Sequence, residues 1–342
     1  MYRHLLVPID GTDLSIEVVG NAVGLARAVG ARITFFHAVA DHAGSLRRDA
    51  DIVCNGTQDQ HACDRTGKAW ELLAKAEAAA RAFGVPCDSK RMVSDKPAAA
   101  IVGAARGGGC DLIFMASHGT GGQPGLAPAS TTLDVLANAG LPVLVSGTGE
   151  PGPSAHAIGI VRDEHRSLAA VLHAWTRALA AARSAGTAAD PLLMRSIVRY
   201  IEVFSLALHH PKEEDHLFKR LRERTSSVNA ELDELERQHL RDHQLVAWLA
   251  LRVDTLAAAN GEAAVNATRE LEDEVHSYAS FLWEHLGREE GVILPAAQRH
   301  LIDADWSAID AEFLKSRDPA FAGKADAEVR QLFSRIVTSA QD

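Results

Sequence analysis

A chain of 342 residues with 47% hydrophobic residues is long and apolar enough to bury two cores, which excludes a disordered or fibrous protein. Its formal net charge of −10, without basic runs, argues against nucleic acid or an anionic membrane as a partner. Apolar stretches stay well short of the roughly 20 residues that cross a bilayer. The opening, MYRHLLVPID, is typical of a strand rather than of a signal peptide. We therefore expect a cytoplasmic protein whose four cysteines are ordinary free thiols.

The first part of the chain alternates apolar strands with helical segments. The strands are predicted at 4–10, 31–39, 86–94, 111–117 and 141–146, and the helices between them at about 13–29, 66–83, 97–106 and 131–138. The strands are apolar without alternation, as in strands that are buried on both faces. The pattern predicts an α/β domain over residues 1–147, with a parallel sheet that helices cover on both sides.

Three phrases in this domain, VPIDGTDLS, ASHGTGG and LPVLV, resemble the universal stress protein family over roughly residues 1–147. The resemblance implies a Rossmann-like domain that forms a homodimer and, in members with the pattern G-2x-G-9x-G-[ST], binds ATP. The spacing is intact here, but Ala116 and Ala129 replace two of the three glycines. An added Cβ hinders the approach of backbone amides to phosphate, so a nucleotide site and a purely structural sheet domain both remain open. The implied nucleotide-binding positions are Asp10, Ala38, Ala116, Gly119, Ala129, Ser130 and Thr131.

A turn-rich linker at 148–155 separates this domain from a purely helical region. Four long amphipathic helices are predicted at about 157–184, 191–222, 228–258 and 264–297, and two shorter ones at about 304–315 and 325–338. The connections between the long helices are only about five to seven residues long, so neighbouring helices should be antiparallel. Residues 156–342 are therefore predicted to form an all-α up-down four-helix bundle with two trailing helices.

Three of the long helices each carry a histidine and a second metal-binding residue four positions apart. The pairs are His210/Glu214, His239/His243 and His285/Glu289. Four residues turn a helix by about 400°, so each pair lies on one face, and that face is the apolar stripe of its helix. With His165 of the first helix, all seven fall in one layer of the bundle. Imidazoles and carboxylates buried in a core need partners, and a metal can satisfy them together.

The phrases that contain these residues, DEHR, HPKEED, QHLRDH and EHLGREEGVILP, resemble the hemerythrin-like, or HHE cation-binding, family over about residues 156–315. The resemblance implies two irons joined by an oxo or hydroxo bridge. By that similarity one iron is held by His239, His243 and His285, the other by His165 and His210, and the bridges are Glu214 and Glu289. Oxygen-carrying hemerythrins place an aspartate five residues after the last histidine, whereas this chain has Glu289 four residues after it, as in the HHE branch.

The second long helix offers an alternative pair. His209 and Glu213 repeat the four-residue spacing one step around the helix, and a 100° step takes them off the centre of the apolar stripe. We therefore prefer His210 and Glu214, but Pro211 can kink the helix and change which histidine faces inward, so the choice stays open. Side chains expected to surround the ligands are Tyr278, His209, Glu213 and Glu290. Tyr278 is either a core aromatic or a group that hydrogen-bonds or binds near the metals. Manganese is the alternative to iron.

The leading hypothesis for function is a non-haem di-iron protein that binds or senses oxygen, nitric oxide or iron itself in a stress response, with a dimerising domain that binds ATP. A second hypothesis is an enzyme at the same centre, with oxidase, peroxide-consuming or iron–sulfur-repair activity. A third is a nucleotide-responsive interaction module in which the metal is structural. We expect a binding protein rather than an enzyme.

Overall fold

The computed structural model describes residues 2–11, 13–39, 58–117, 131–146, 153–315 and 324–339. The chain divides into two compact units, Met1–Glu150 and Pro151–Asp342, and each unit is described by itself below. Most of the predicted linker, residues 148–152, lies outside the described residues. The described chain resumes at Pro153 with a helix.

The first unit is built on a parallel sheet. Within the described residues, its strands are β1 (His4–Pro8), β2 (Arg32–Val39), β3 (Cys87–Val93), β4 (Leu112–Ala116) and β5 (Val143–Ser146). They lie in the order β3-β2-β1-β4-β5, so β1 pairs with both β2 and β4. This arrangement confirms the predicted α/β class. The strand order reverses between β1 and β4, and ligands of such sheets bind at the carboxyl ends of the strands at this point.

Helices cover both faces of the sheet, as the unbroken apolar strands predict. They are α1 (Asp13–Val29), α2 (Gln58–Ala82), α3 (Pro97–Gly107) and α4 (Thr131–Asn138). Because successive side chains of a strand point to opposite faces, Leu5 packs in one core with Leu73 of α2, whereas Leu6 packs in the other with Ile101 of α3 and Val135 of α4. Both faces of the central strand are therefore buried.

The regular elements of the second unit are all helices within its described residues, which confirms the predicted all-α class. Its helices are α5 (Pro153–Ala185), α6 (Pro191–Ile201, extended through His210–Lys212 to Lys219–Arg224), α7 (Asn229–Ala258), α8 (Glu262–Arg288, extended to Leu294–His300), α9 (Asp303–Lys315) and α10 (Lys324–Ser339). Asp190 caps α6 by accepting a hydrogen bond from the amide of Leu192 at 2.9 Å, and Pro191 follows as the first helical residue. The first four helices pack side by side as a bundle.

The two trailing helices, α9 and α10, pack against the outside of the bundle. Trp306, Ile309 and Phe313 of α9 join the core cluster that contains Leu217 and Leu232 of the bundle. α10 packs on α6, where Glu328 forms an ion pair with Arg199. None of the described helices has the length and apolar character that crossing a bilayer requires.

Two of the long helices contain π-helical turns, in which each amide bonds to the carbonyl five residues earlier. The π segments are Glu202–His209, Glu213–Phe218 and Glu289–Ile293. The amide of His210 bonds to the carbonyl of Ser205, and that of Leu294 bonds to that of Glu289. Pro211 follows the first segment and Pro295 follows the third, so each wide turn lies where a proline cannot donate the usual helical hydrogen bond.

Candidate metal centre

Seven buried side chains from all four bundle helices converge as two groups of potential metal ligands. The first, called here the three-histidine group, consists of His210, His239 and His285. The second, called here the two-histidine group, consists of His165, His209, Glu213 and Glu289. Within each group the ligand atoms lie within 4.8 Å of one another. Each group can therefore enclose one ion.

Glu213 faces both groups. Its Oε1 lies 3.6 Å from Nε2 of His165 and 3.6 Å from Nε2 of His209, the two histidines of its own group. Its Oε2 lies 3.8 Å from Nε2 of His239, in the three-histidine group. One carboxylate oxygen therefore points to each group, which is the placement that a bridging carboxylate needs.

Glu289, at the end of the regular part of α8, also faces both groups. Its Oε2 lies 3.1 Å from Nε2 of His165, and its Oε1 lies 3.3 Å from Nε2 of His285 and 3.7 Å from Nε2 of His239. Burial and the neighbouring charge of Glu289 raise the pKa of Glu213, because two carboxylates so close together repel each other. Cations between the two groups would remove this repulsion.

The atoms that face the interior of the site lack protein partners. Among the described residues, the buried ligand atoms without a hydrogen-bond partner are Nε2 of His165, His209, His239 and His285, Nδ1 of His210, Oε2 of Glu213 and both carboxylate oxygens of Glu289. Burying so many polar atoms unpaired carries a large energetic cost, which bound cations would offset. The donors are nitrogen and oxygen without thiolate, a set that suits iron or manganese better than a structural zinc ion.

The remaining ring nitrogens of four histidines are held from outside. The pairs are His165 Nδ1 with Glu290 at 3.0 Å, His209 Nδ1 with Glu164 at 2.9 Å, His239 Nδ1 with Glu214 at 2.6 Å, and His285 Nδ1 with the side-chain oxygen of Gln238 at 3.0 Å. A ring that donates from Nδ1 presents an unprotonated Nε2 to a metal, and the outer partner also fixes the ring orientation. Four Nε2 atoms are therefore aimed into the site.

Glu164 is itself secured as an anion. Burial alone would raise the pKa of this carboxyl, but the hydrogen bond from His209 and the nearby Lys212 ammonium together lower its pKa to about 2. Lys212 also forms an ion pair with Glu164 and lies over the ring of Phe313. The orientation of His209 therefore depends on the ion pair between Glu164 and Lys212, and Lys212 in turn contacts Phe313 of the trailing helix α9.

The structure does not bring two of the predicted ligands into either group. His243 is exposed and lies in neither group. Glu214 has a side chain that is 41% exposed and contacts the outer face of His239, whereas Glu213 is 1% exposed and takes the inner position. His209, which belongs with Glu213 to the alternative pair that the sequence left open, lies in the two-histidine group.

The predicted partner of His165 also changes. His210 was assigned to the same iron as His165, but it joins His239 and His285 instead, and His209 takes its place. Both consecutive histidines face inward because they lie at the end of the first π segment, whose turns hold about one residue more than the α-helical 3.6. A helical wheel drawn at 100° per residue places only one of the two at the centre of the core face.

A further buried polar cluster adjoins the three-histidine group. Asp242 follows His239 by one helical turn, and burial raises the pKa of its carboxyl to about 6. Tyr278 lies beside it, and burial together with the Asp242 charge raises the pKa of the phenol. Tyr278 is thus near the site without belonging to either group. The sequence analysis did not single out Asp242, Glu164 or Gln238.

Four of the predicted nucleotide-binding positions are described, and they lie at the carboxyl ends of the strands or at the start of a helix in the first unit. Asp10 follows β1, Ala38 lies near the end of β2, Ala116 ends β4 and Thr131 begins α4. The hydroxyl of Thr132 donates to the carbonyl of Ala116 at 3.1 Å, which ties the start of α4 to the end of β4. Gly119, Ala129 and Ser130 lie outside the described residues.

Comparisons with known proteins match both units. The family model described as universal stress protein family matches residues 1–146, and that described as hemerythrin HHE cation binding domain matches residues 156–297. A universal stress protein of Thermus aquaticus is 31% identical over 148 residues, which are 42% of this chain and 98% of that protein. One from Methanocaldococcus jannaschii is 26% identical over 145 residues, 42% of this chain and 82% of that protein. The solved universal stress protein of Archaeoglobus fulgidus in complex with dAMP has 20% identity and a TM-score of 0.31, covering 42% of this chain and 97% of that one.

Proposed function

We propose that the bundle of this chain holds two irons and binds or senses a small ligand. The chain belongs to the universal stress protein family through residues 1–146, and it carries a hemerythrin HHE cation binding domain at 156–297. Together these two regions make it a stress-related metal-binding protein. Oxygen and nitric oxide are the proposed ligands. The metals would be held by the three-histidine and two-histidine groups, with Glu213 and Glu289 as the bridges.

The observation that carries this proposal is the pair of carboxylates shared by the two groups. Glu213 and Glu289 each turn one oxygen toward each group, at distances between 3.1 and 3.8 Å from the unpaired histidine nitrogens. A single ion in one group would leave the unpaired ligand atoms of the other group without a partner. Two ions satisfy all of them, so the donor set favours a pair of metals over one.

The two groups offer different numbers of protein ligands. With both carboxylates as bridges, the three-histidine group supplies five donors and the two-histidine group supplies four. When bound, an iron pair would supply a reducible centre with a coordination position open at the two-histidine group. His165 and His209 are buried, so bulk water is largely excluded from this position. The ring of Phe204 stacks on that of His209 with centroids 6.2 Å apart, which makes part of the wall apolar.

The proposed function is tested by an optical spectrum of the iron-loaded, anaerobically reduced protein before and after exposure to oxygen or nitric oxide. We expect about two irons per chain and a ligand-dependent spectral change. His165→Ala should weaken this change strongly, whereas His276→Ala, on an exposed face of α8, should leave it intact. An iron-loaded sample whose optical spectrum does not change on exposure to either gas would contradict a sensing role. Repeated turnover with a reductant would favour the enzyme hypotheses.

We also propose that the first unit binds a nucleotide with low affinity. Asp10, Ala116 and Thr131 meet at the carboxyl edge of the sheet, where the strand order reverses. The sequence pattern places Ala129 where a glycine amide would contact phosphate, and its Cβ hinders that approach. Ala129→Gly should therefore raise the affinity for ATP by about tenfold, the equivalent of one hydrogen bond of ~1.4 kcal/mol. Calorimetry on both proteins checks this, and equal affinities would refute the explanation.

The same unit supports a homodimer. β5 lies at the edge of the described sheet, and its Leu144 and Val145 are exposed. An apolar edge strand is a ready site for pairing with another chain. We propose that a second copy of this chain covers β5.

A further inference from the structure

Three buried polar side chains lie on the far side of His210 from the rest of the centre. Ser205 of α6, Asp242 of α7 and Tyr278 of α8 are 0%, 1% and 2% exposed. Over the described part of the chain, neither carboxylate oxygen of Asp242 makes a well-formed hydrogen bond, and the hydroxyl of Tyr278 has Asp242 as its polar neighbour. A buried carboxylate that lacks a well-formed hydrogen bond is costly, so it points to a role that metal loading completes.

The ring of His210 is oriented differently from those of the other four histidines. Those four present Nε2 to the site and bond outward through Nδ1. In His210 the unpartnered atom is Nδ1, whereas Nε2 lies 3.2 Å from the hydroxyl of Ser205 and 3.8 Å from Oδ2 of Asp242. His210 therefore directs Nδ1 into the site and Nε2 toward the polar cluster.

We propose that His210 binds its metal through Nδ1 and that Asp242 is the positioning residue that accepts the proton of its Nε2–H, with Tyr278 donating to Asp242 from behind. This inference rests on the proposed metal pair. Asp242 takes the part for His210 that Glu164 takes for His209 and Glu214 takes for His239. Ser205 already contacts Nε2 of His210, and the approach of Asp242 would add a carboxylate there, so that four of the five histidines would have a carboxylate as an outer partner.

The geometry requires only a small adjustment. A separation of 3.8 Å between Nε2 and Oδ2 is longer than a hydrogen bond, so Asp242 has to approach the ring by about 1 Å when the metal binds. Tyr278 is held in place by Trp175, whose ring packs edge-on against it at 6.4 Å and whose indole N–H donates to the sulfur of Met194 at 3.2 Å. The phenol is therefore fixed beside Asp242, and the carboxylate is the group that moves.

Asp242 itself is not placed as a metal ligand. Among the described residues, the atoms that lie within 4.8 Å of one another in the three-histidine group belong to His210, His239 and His285, and Asp242 is not one of them. Its effect would reach the metal through the imidazole. A carboxylate that accepts from the outer N–H makes the ring a stronger electron donor, which stabilises the oxidised metal.

This electronic role predicts opposite effects for two substitutions on the reduction potential of the iron-loaded protein. Asp242→Asn removes the anionic partner of His210, so the potential should rise and the affinity for one of the two irons should fall about 10- to 100-fold. Tyr278→Phe removes the hydrogen bond that draws charge from Asp242, so the potential should fall. Asp242→Glu restores the carboxylate and should bring the potential back toward the wild-type value.

The controls are a matched tyrosine and a matched aspartate. Tyr200→Phe removes a hydroxyl from another buried tyrosine, whose ring packs at a tilt against those of Phe204 and Phe333, and Asp254→Asn changes an exposed residue on the same helix as Asp242. Both should keep the wild-type potential. Potentials are measured by spectroelectrochemical titration and iron affinities by competition with a chelator.

Three results would overturn the proposal. If Asp242→Asn and Tyr278→Phe shift the potential in the same direction, the cluster acts only through packing. If Asp242→Asn abolishes binding of one iron altogether, Asp242 is a ligand rather than a positioning residue. Unchanged potentials in both variants would remove any role for the cluster. Failure of the wild-type chain to bind two irons would instead overturn the proposed function, and it is seen before any variant is compared.

Discussion

Glu213→Gln should reduce the iron content from about two per chain to less than one. Glu213 faces both groups, with Oε1 3.6 Å from Nε2 of His165 and Oε2 3.8 Å from Nε2 of His239. An amide has one weak oxygen donor and a nitrogen that cannot bind, so it cannot bridge two cations or neutralise their charge. Iron is counted after anaerobic loading and removal of unbound metal.

The neighbouring Glu214→Gln is the matched control, with the same change of charge one residue away. Glu214 lies outside both groups and contacts only the outer nitrogen of His239 among the ligands, so this variant should keep two irons. Loss of an outer partner lowers metal affinity about 10- to 100-fold, which a chelator would detect but simple counting would not. Retention of both irons in Glu213→Gln, with their loss in Glu214→Gln, would restore the ligand set predicted by the helical wheel.

His209→Ala should leave about one iron per chain. His209 supplies one of the two histidine nitrogens of its group, and its removal leaves His165 with the two carboxylates as the remaining protein donors there. The three-histidine group keeps all of its own histidines, so its iron should stay bound. The far-ultraviolet circular dichroism of the variant, recorded beside the metal count, establishes that the helices are intact.

His243→Ala is the comparison that makes this experiment specific. His243 is exposed, so its substitution should leave both the iron content and the unfolding temperature close to those of the wild type. If His243→Ala loses an iron and His209→Ala keeps two, the placement of the third long helix relative to the second is wrong. Equal losses in both variants would also contradict the present assignment.

Regular hydrophobic patterns in the sequence predict the fold and several residues of the two ligand groups. The apolar strands of the first unit are unbroken because helices cover both faces of the sheet, and this predicted a parallel sheet without any knowledge of its strand order. His165, His239 and His285 lie in apolar stripes of ordinary α-helix, so a period of 3.6 residues placed them on the core face, and Glu289 directly follows the last of these stretches. For these three histidines the backbone follows the standard helix, and the 3.6-residue period places them correctly on the core face.

The second long helix departs from that standard. At 100° per residue only one of His209 and His210 lies at the centre of the apolar stripe, and the preference for His210 rests on that angle. The π turns on either side of Pro211 bring both rings inward and move Glu213, rather than Glu214, into the centre. Pro211 indicates an irregular turn at this position, because a proline cannot donate the usual helical hydrogen bond. The type and extent of the irregularity depend on packing against three other helices, which local sequence does not contain.

His243 was misplaced for a different reason. The buried residues of α7 recur at alternating steps of three and four, through Leu235, His239, Asp242 and Val246. This is the spacing of helices that pack nearly parallel, and it puts Asp242 on the core face and His243 outside it. The prediction of His243 as a ligand rests on its four-residue spacing from His239, whereas Asp242 is the residue that lies in the core stripe. The strict three-four pattern was the signal that would have identified Asp242.

We propose that Glu213 and Glu289 bridge two metal ions, held by His165 and His209 on one side and by His210, His239 and His285 on the other. A crystal structure of the iron-loaded chain, with anomalous diffraction measured at the iron edge, would locate the metals. We expect two iron peaks about 3.5–4 Å apart, one in each group, with both carboxylates between them. A single peak in a fully loaded crystal, or iron bound to His243 or Glu214, would contradict this proposal.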